Sequence, residues 1–326
     1  MSQEPTSTPR LEVGERVAAI DIGTNTVLLT IAERVSAGGD LADGLGVIGE
    51  RHAITRLGEG VDQRRALDEA AVARTLACLE EYRSELLRCG VTRVFCVGTS
   101  ALRDADGGEA FVLQASQLLG APVQVVSGLR EAALTFRGAL SSSSAGPNTA
   151  SAASPDDLVL AFDIGGGSTE IVLGTRAGAV SSAVSVDVGS VRLFERYGER
   201  PFTQAAEAVR AALPEAFAAR PSVVVGIAGT MTTLWSLVHQ APFDERNAAT
   251  RPLERKLIAD LARELHRLPL DLRRTRLGID EGRADVIPYG ALIAAEVLAW
   301  LEVSATYATG RGVRYGLLLE ALSAPT

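Results

Sequence analysis

The run Leu158-Val159-Leu160-Ala161-Phe162-Asp163-Ile164-Gly165-Gly166-Gly167-Ser168-Thr169-Glu170-Ile171-Val172-Leu173 sets three successive glycines between two apolar segments. Two apolar runs joined by a glycine turn read as a β-hairpin. Glycines let a backbone come close to a ligand, and their N–H groups can cup phosphate oxygens. Asp163 closes the first segment and Glu170 opens the second, so two carboxylates bracket the loop. That arrangement suits a divalent cation bridging protein and phosphate. Taken alone, the plainer reading is a tight hairpin with solvated acidic ends.

The pattern occurs twice. In Ala18-Ala19-Ile20-Asp21-Ile22-Gly23-Thr24-Asn25-Thr26-Val27-Leu28-Leu29-Thr30, aligning Asp21 with Asp163 also aligns Ile22 with Ile164, Gly23 with Gly165 and Thr26 with Ser168. An internal repeat of this kind points to two similar α/β domains, each offering a phosphate loop to a shared cleft. Leu28 aligns with Glu170, so only the second copy carries the extra carboxylate. A chain of 326 residues is long enough for two such cores.

Composition narrows the partners. Apolar residues make up 47% and charged residues 22% of the chain, as in a globular protein. No window approaches the ~18 apolar residues of a membrane span, since Glu296 and Glu302 interrupt the best candidate, Ala291 to Val303. Residues 1–16 are polar, contain Pro5 and Pro9 and lack the apolar core of a signal peptide. They read as a disordered tail, and the protein as cytoplasmic. A net charge of −8 argues against a general nucleic-acid binder, but a locally basic cleft can still take a polyanion. Lys256 is the only lysine; arginine, the dominant cation, suits bidentate phosphate contacts. Cys78, Cys89 and Cys96 show no metal spacing, and His52, His239 and His266 are scattered, so all six read as structural or exposed.

Two further strand-to-helix junctions carry small polar loops. Val91 to Val97 reads as a buried strand running into Gly98-Thr99-Ser100-Ala101-Leu102-Arg103-Asp104-Ala105. This puts backbone donors and Arg103 at the carboxyl end of a sheet, where ligands bind in α/β folds; a pairing of Arg103 with Asp104 or Asp106 is the alternative. Ser222 to Ala228 reads as a strand leading into Gly229-Thr230-Met231. Between them, Ser127-Gly128-Leu129-Arg130-Glu131 turns into a helix with Glu131 in its first turn, near oriented N–H groups. The stretch 141–155 is rich in Ser, Ala, Gly and Pro and reads as a flexible loop. Arg273, Arg274 and Arg276 read as a solvated basic face in preference to part of a polyanion path.

The paired loops resemble those of the actin, sugar-kinase and Hsp70 ATPase superfamily. The wording Asp-Ile-Gly-Gly-Gly-Ser-Thr-Glu at 163–170 resembles the exopolyphosphatase and guanosine pentaphosphatase (Ppx/GppA) family in its short two-domain form. So do Thr-Ser-Ala-Leu-Arg-Asp-Ala at 99–105, the segment around Glu131, Arg-Ala-Asp-Val-Ile at 283–287 and the Arg-x-Gly stretch at 310–316. The resemblance runs from about residue 17 to 322 and implies duplicated RNase H-like domains flanking a central cleft. Domain I would span 17–127 and domain II 128–312, with the helix at 313–326 a candidate to pack back on domain I. It implies Glu131 as catalytic base and Mg2+ (or Mn2+) held by Asp163, Glu170 and Asp21. Phosphates would be gripped by Gly23, Thr24, Asn25, Thr26, Arg103, Gly165, Gly166, Gly167, Ser168, Gly229 and Thr230. Arg130 stands where the family pattern has glutamate, and so reads as an added phosphate contact or a change in substrate preference. The implied activity is release of terminal orthophosphate from polyphosphate, with hydrolysis of guanosine pentaphosphate (pppGpp) the alternative and a homodimer the implied assembly. A nucleotide-binding kinase, a nucleotide-switched assembly protein or a non-catalytic phosphate sensor on the same fold is the competing reading from another class.

Overall fold

The first copy of the repeat forms the antiparallel hairpin β1 (Arg16–Ile22) and β2 (Thr26–Arg34), extended by antiparallel β3 (Leu45–Ile54). β4 (Arg93–Gly98) and β5 (Val123–Val125) join the other side of β1 in parallel, giving the order β3-β2-β1-β4-β5. The second copy is the antiparallel hairpin β6 (Leu158–Ile164) and β7 (Thr169–Thr175), extended by β8 (Val180–Val186). β9 (Val223–Ile227), β10 (Leu253–Glu254) and β11 (Ala305–Thr309) complete a sheet of order β10-β11-β9-β6-β7-β8. Without the two-residue β10, this sheet repeats the first in both order and strand direction. The computed structural model describes residues 11–36, 44–142, 154–214 and 220–323, so most of the 141–155 loop lies outside the described residues.

The repeat holds to the level of register. Asp21 pairs with Leu28 across β1 and β2, and Asp163 pairs with Glu170 across β6 and β7. Each turn closes with the same bond, from Gly23 N to Thr26 O and from Gly165 N to Ser168 O, both at 3.0 Å. β1 and β6 lie inside their sheets, and both faces are covered. Their residues are therefore almost all buried, as the continuous apolar runs require.

Helices cover the sheets. Glu69–Arg88 starts at Asp68, whose side chain accepts from Ala71 N, and buries Thr75, Cys78, Leu79, Tyr82 and Leu86. It packs with Gly108–Leu119 on the first sheet. Ile287–Trp300, apolar on most of its surface, forms the centre of the second core with Ala228–His239 and Arg255–Arg267.

Two further helices exchange places. Gly128–Leu140 follows β5 of the first sheet but buries Ala132, Phe136 and Ala139 against β6, β7 and β9 of the second. Val313–Ser323 follows β11 of the second sheet but packs Leu317, Leu318 and Leu319 against the first, with Val17, Ala19 and Leu45. The helices touch backbone to backbone where they cross. A Cβ added at Gly138 would lie 2.1 Å from Gly312 O, and one at Gly316 would lie 2.1 Å from Leu134 O.

Two expectations need correction. Residues 11–16 belong to the fold: Leu11 is buried in the cluster around Val17, and Glu15 pairs with Arg93 at 2.7 Å. The tail reading fails there because one apolar side chain fills a gap in the core. Arg273 is not on a solvated face. It is 1% exposed and donates to the carbonyls of Leu268, His266 and Ala284, tying the end of one helix to the segment before the next.

Candidate active site

Both glycine loops open into one cleft of about 340 Å3, lined from the first half by Asp21, Gly23–Thr26 and Leu28 and from the second by Asp163–Ser168, Glu170 and Gly229–Thr230. The second loop is held from behind. The carbonyl of Gly165 accepts from Ser190 N, that of Gly166 from Val191 N and Arg192 N, and that of Gly167 from Arg192 Nε at 2.8 Å. A trans peptide puts N–H and C=O on opposite sides, so the N–H groups of Gly166, Gly167 and Ser168 turn away from the Ser190–Arg192 side. Three successive donors on one side form an anion-binding concavity. Only glycine fits this packing: a Cβ at Gly189 would lie 2.3 Å from Gly166 O, and one at Gly167 would lie 2.4 Å from Ser100 Oγ and 2.9 Å from Thr24 Oγ1. Thr24 of the first loop thus sits directly against the second.

Five carboxylates line this cleft: Glu50, and the cluster of Asp21, Asp163, Glu170 and Glu131. Asp163 and Glu170 are cross-strand partners, so their side chains share a face. Glu131 arrives on the first turn of Gly128–Leu140, where Ser127 Oγ caps the helix by accepting from Arg130 N. Burial pushes Asp21 up to about 8 and Asp163 up to about 7, and Glu131 adds to both. Burial, followed by the charges of Glu131 and Asp163, holds Glu170 well above the usual carboxylate range against the hydroxyls of Ser185 and Ser168. Glu131 is also raised by burial, with the Arg103 guanidinium opposing. Gathering four acids in a buried site is unfavourable unless a cation or a proton donor meets them. Asp21 Oδ1 is buried with no hydrogen-bond partner. Among the described residues, no group of three or more His, Cys, Asp or Glu side chains is arranged to hold a metal ion by itself.

The other expected residues divide into two groups. Gly23, Thr24, Asn25, Thr26, Gly165, Gly166, Gly167, Ser168, Gly229 and Thr230 all line the cleft. The Thr230 hydroxyl donates to Ile164 O at 3.1 Å, and Ala228 beside it takes a left-handed φ of 63° at the turn into its helix. Arg103 is absent from the lining. Its Nη1 donates to Glu131 Oε2 at 2.6 Å and to Val126 O at 3.0 Å, behind the cleft wall. Arg130 is absent from the lining too; it forms an exposed two-pronged pair with Glu320 on the C-terminal helix. Sequence reasoning missed Glu50, His52, Thr232, Arg283 and Arg314 on the cleft wall. Arg283 and Arg314 fall in stretches that carry the family resemblance, which was the available signal. Arg283 donates to Gly229 O at 2.9 Å and to Thr233 Oγ1 at 2.8 Å, fixing the third loop.

The halves also meet through polar bridges at the rim. Arg56 donates to both oxygens of Asp285 at 2.6 Å, Arg192 bridges Asp62 and Asp104, and Glu195 Oε1 accepts from Gly60 N at 2.7 Å.

A family model described as the Ppx/GppA phosphatase family matches residues 31–324. The chain belongs to the Ppx/GppA phosphatase family. Exopolyphosphatase 2 of Mycobacterium tuberculosis is 38% identical over 303 residues, covering 86% of this chain and 89% of the relative. Among solved structures, a Ppx/GppA family member from Aquifex aeolicus is similar with a TM-score of 0.73 and 27% identity, over 95% of this chain and 98% of the other. An exopolyphosphatase-like protein gives a TM-score of 0.82 with 26% identity, over 94% and 99%. The two repeated sheets are therefore those of the actin-like ATPase fold, and the chain is a Ppx/GppA hydrolase. No helix among the described residues is long and apolar enough to cross a membrane.

Proposed function

We propose that the chain is an exopolyphosphatase that releases terminal orthophosphate from inorganic polyphosphate. The observation that carries the reading is the convergence of Glu131 with Asp163 and Glu170 around a loop whose successive N–H groups turn one way. The likeness to exopolyphosphatase 2 of M. tuberculosis supports the substrate class. In this reading the Gly165–Ser168 loop and the Gly23–Thr26 loop hold the terminal phosphate, and the Gly229–Thr230 turn holds one further along the chain. Glu131 takes a proton from the attacking water as its oxygen bonds to the terminal phosphorus. The bond to the bridging oxygen breaks, and the remaining chain leaves one phosphate shorter. Phosphoryl transfer of this kind depends on positioning and charge neutralisation more than on a covalent nucleophile.

The donor set fits a divalent cation, Mg2+ or Mn2+. Asp163 and Glu170 share a face, Asp21 Oδ1 is unpartnered, and no three side chains close a shell of their own. One or two carboxylates completed by phosphate and water is the usual Mg2+ arrangement. When bound, the cation supplies charge neutralisation on the phosphoryl group. The reading carries with it the homodimer that the family resemblance implies, which sedimentation tests.

Orthophosphate release is measured with Mg2+ on short polyphosphate, long polyphosphate, pppGpp and ATP. Release from polyphosphate is expected, falling by ~10²–10⁴ in Glu131→Gln with the fold intact by circular dichroism. Preference for pppGpp would move the substrate assignment with the same site. No release from any substrate, with ATP still bound, would refute the hydrolase reading in favour of a kinase or sensor.

A further inference from the structure

Ser185 on β8 is outside the cleft lining, yet its hydroxyl donates to Glu170 Oε1 at 2.7 Å. It also abuts the start of the helix that carries Glu131. A Cβ added at Gly128 would lie 2.5 Å from Ser185 Cβ, 2.6 Å from Ser185 Oγ and 3.9 Å from Arg103 Nη2. Gly128 is thus pressed between two side chains, one binding each glutamate: Ser185 binds Glu170, and Arg103 binds Glu131. Ser168 also hydrogen-bonds Glu170, but it belongs to the phosphate loop and is exposed to whatever enters there. Ser185 belongs to a neighbouring strand, whose register is set by pairing with β7: Glu170 faces Ser185 directly.

We propose that Ser185 is a positioning residue. Its hydroxyl fixes one oxygen of Glu170, and its contact with the bare Cα of Gly128 sets the spacing between Glu170 and the Glu131 helix. This rests on the hydrolase reading above. The geometry gives Ser185 no contact with substrate, so its loss misplaces Glu170 without removing a phosphate ligand. Misplacing a group that meets the reacting phosphate and its cation lowers turnover and cation binding while leaving polyphosphate affinity unchanged.

The test compares wild type, Ser185→Ala and Ser185→Thr by steady-state phosphate release and by Mn2+ binding, read from the electron paramagnetic resonance of free Mn2+ in the presence of orthophosphate. Ser185→Ala is expected to lose roughly tenfold or more in kcat with KM for polyphosphate nearly unchanged, and to bind Mn2+ more weakly. Ser185→Thr, which keeps the hydroxyl, is expected to retain Mn2+ affinity. The proposal is overturned if Ser185→Ala matches wild type in kcat and Mn2+ affinity, if KM rises in place of a fall in kcat, or if the threonine variant loses as much as the alanine one. Should Ser185→Ala not fold, the threonine variant decides alone. If wild type releases no phosphate from any substrate, the hydrolase reading fails. The Mn2+ comparison still tests the positioning of Glu170.

Discussion

Replacing Arg103 by alanine separates two roles for an arginine beside the candidate phosphate site. The guanidinium is 2.6 Å from Glu131 Oε2, and the two side chains are only 20% and 12% exposed, so water replaces little of what is lost. Removing one partner of a buried pair costs about 3–5 kcal/mol when the other stays charged. Glu131 avoids part of that cost by taking a proton. Burial already raises its pKa and Arg103 opposes the rise, so Arg103→Ala leaves burial unopposed. A base works when deprotonated, so activity lies above its pKa and is lost as pH falls. Losing that opposite charge raises the Glu131 pKa further, so the acid limb of the kcat profile should move to higher pH. Below the limb the rate falls about tenfold per pH unit, so the variant should lose most activity at the acid end of the range and recover as pH rises. The assay is kcat for polyphosphate from pH 5 to 10 with saturating Mg2+. An unmoved acid limb together with a raised KM would refute the reasoning and return Arg103 to the phosphate.

Three other perturbations follow from the same geometry. Gly138→Ala forces a Cβ to 2.1 Å from Gly312 O; neither backbone can yield without moving a helix, so thermal denaturation should show a loss of at least about 1–3 kcal/mol. Arg130→Ala breaks only an exposed pair with Glu320, so stability should change by less than ~1 kcal/mol and kcat/KM should be unaltered, whereas a large rise in KM would make Arg130 a phosphate contact after all. Asp21 at about 8 and Asp163 at about 7, against 3.8 for an ordinary aspartate, hold protons in the folded state that the unfolded chain has released. Stability without cation should therefore fall as pH rises from about 4 to 8, and Mg2+ with orthophosphate should raise the melting temperature most at the alkaline end; scanning fluorimetry across pH 5–8.5 reads both.

The repeat was the most legible feature because it is written locally. A loop with an aspartate before it and a glycine after carries its own register, and Asp21 and Asp163 each pair with the residue seven positions on, as their alignment implies. Glu131 was legible for the same reason, since a turn followed by a helix start places it in the first helical turn. The partners of the arginines were not. Arg130 meets a glutamate 190 positions away, Arg103 one 28 positions away, and Arg314 reaches Thr30 and Glu50 from the other end of the chain. No local period encodes such meetings. Arg273 misled for a related reason: a run of like charges normally faces water, but three carbonyls left open by neighbouring turns drew this one inward. His52 and Glu50 reach the cleft only because β3 pairs with β2 in one particular register.

The exchanged helices have a mechanical consequence. Each sheet supports the helix that issues from the other, and the two backbones meet at Gly138, Gly312, Leu134 and Gly316 with no side chain between them. A rotation of one sheet against the other that keeps this backbone contact has the crossing as its fulcrum. Displacement grows with distance from a fulcrum. Glu131 sits near the short end of the lever, one helix turn into the crossing pair, and keeps its place. Arg56 with Asp285 and Arg192 with Asp62 join the halves away from the crossing, so such a rotation would strain these pairs.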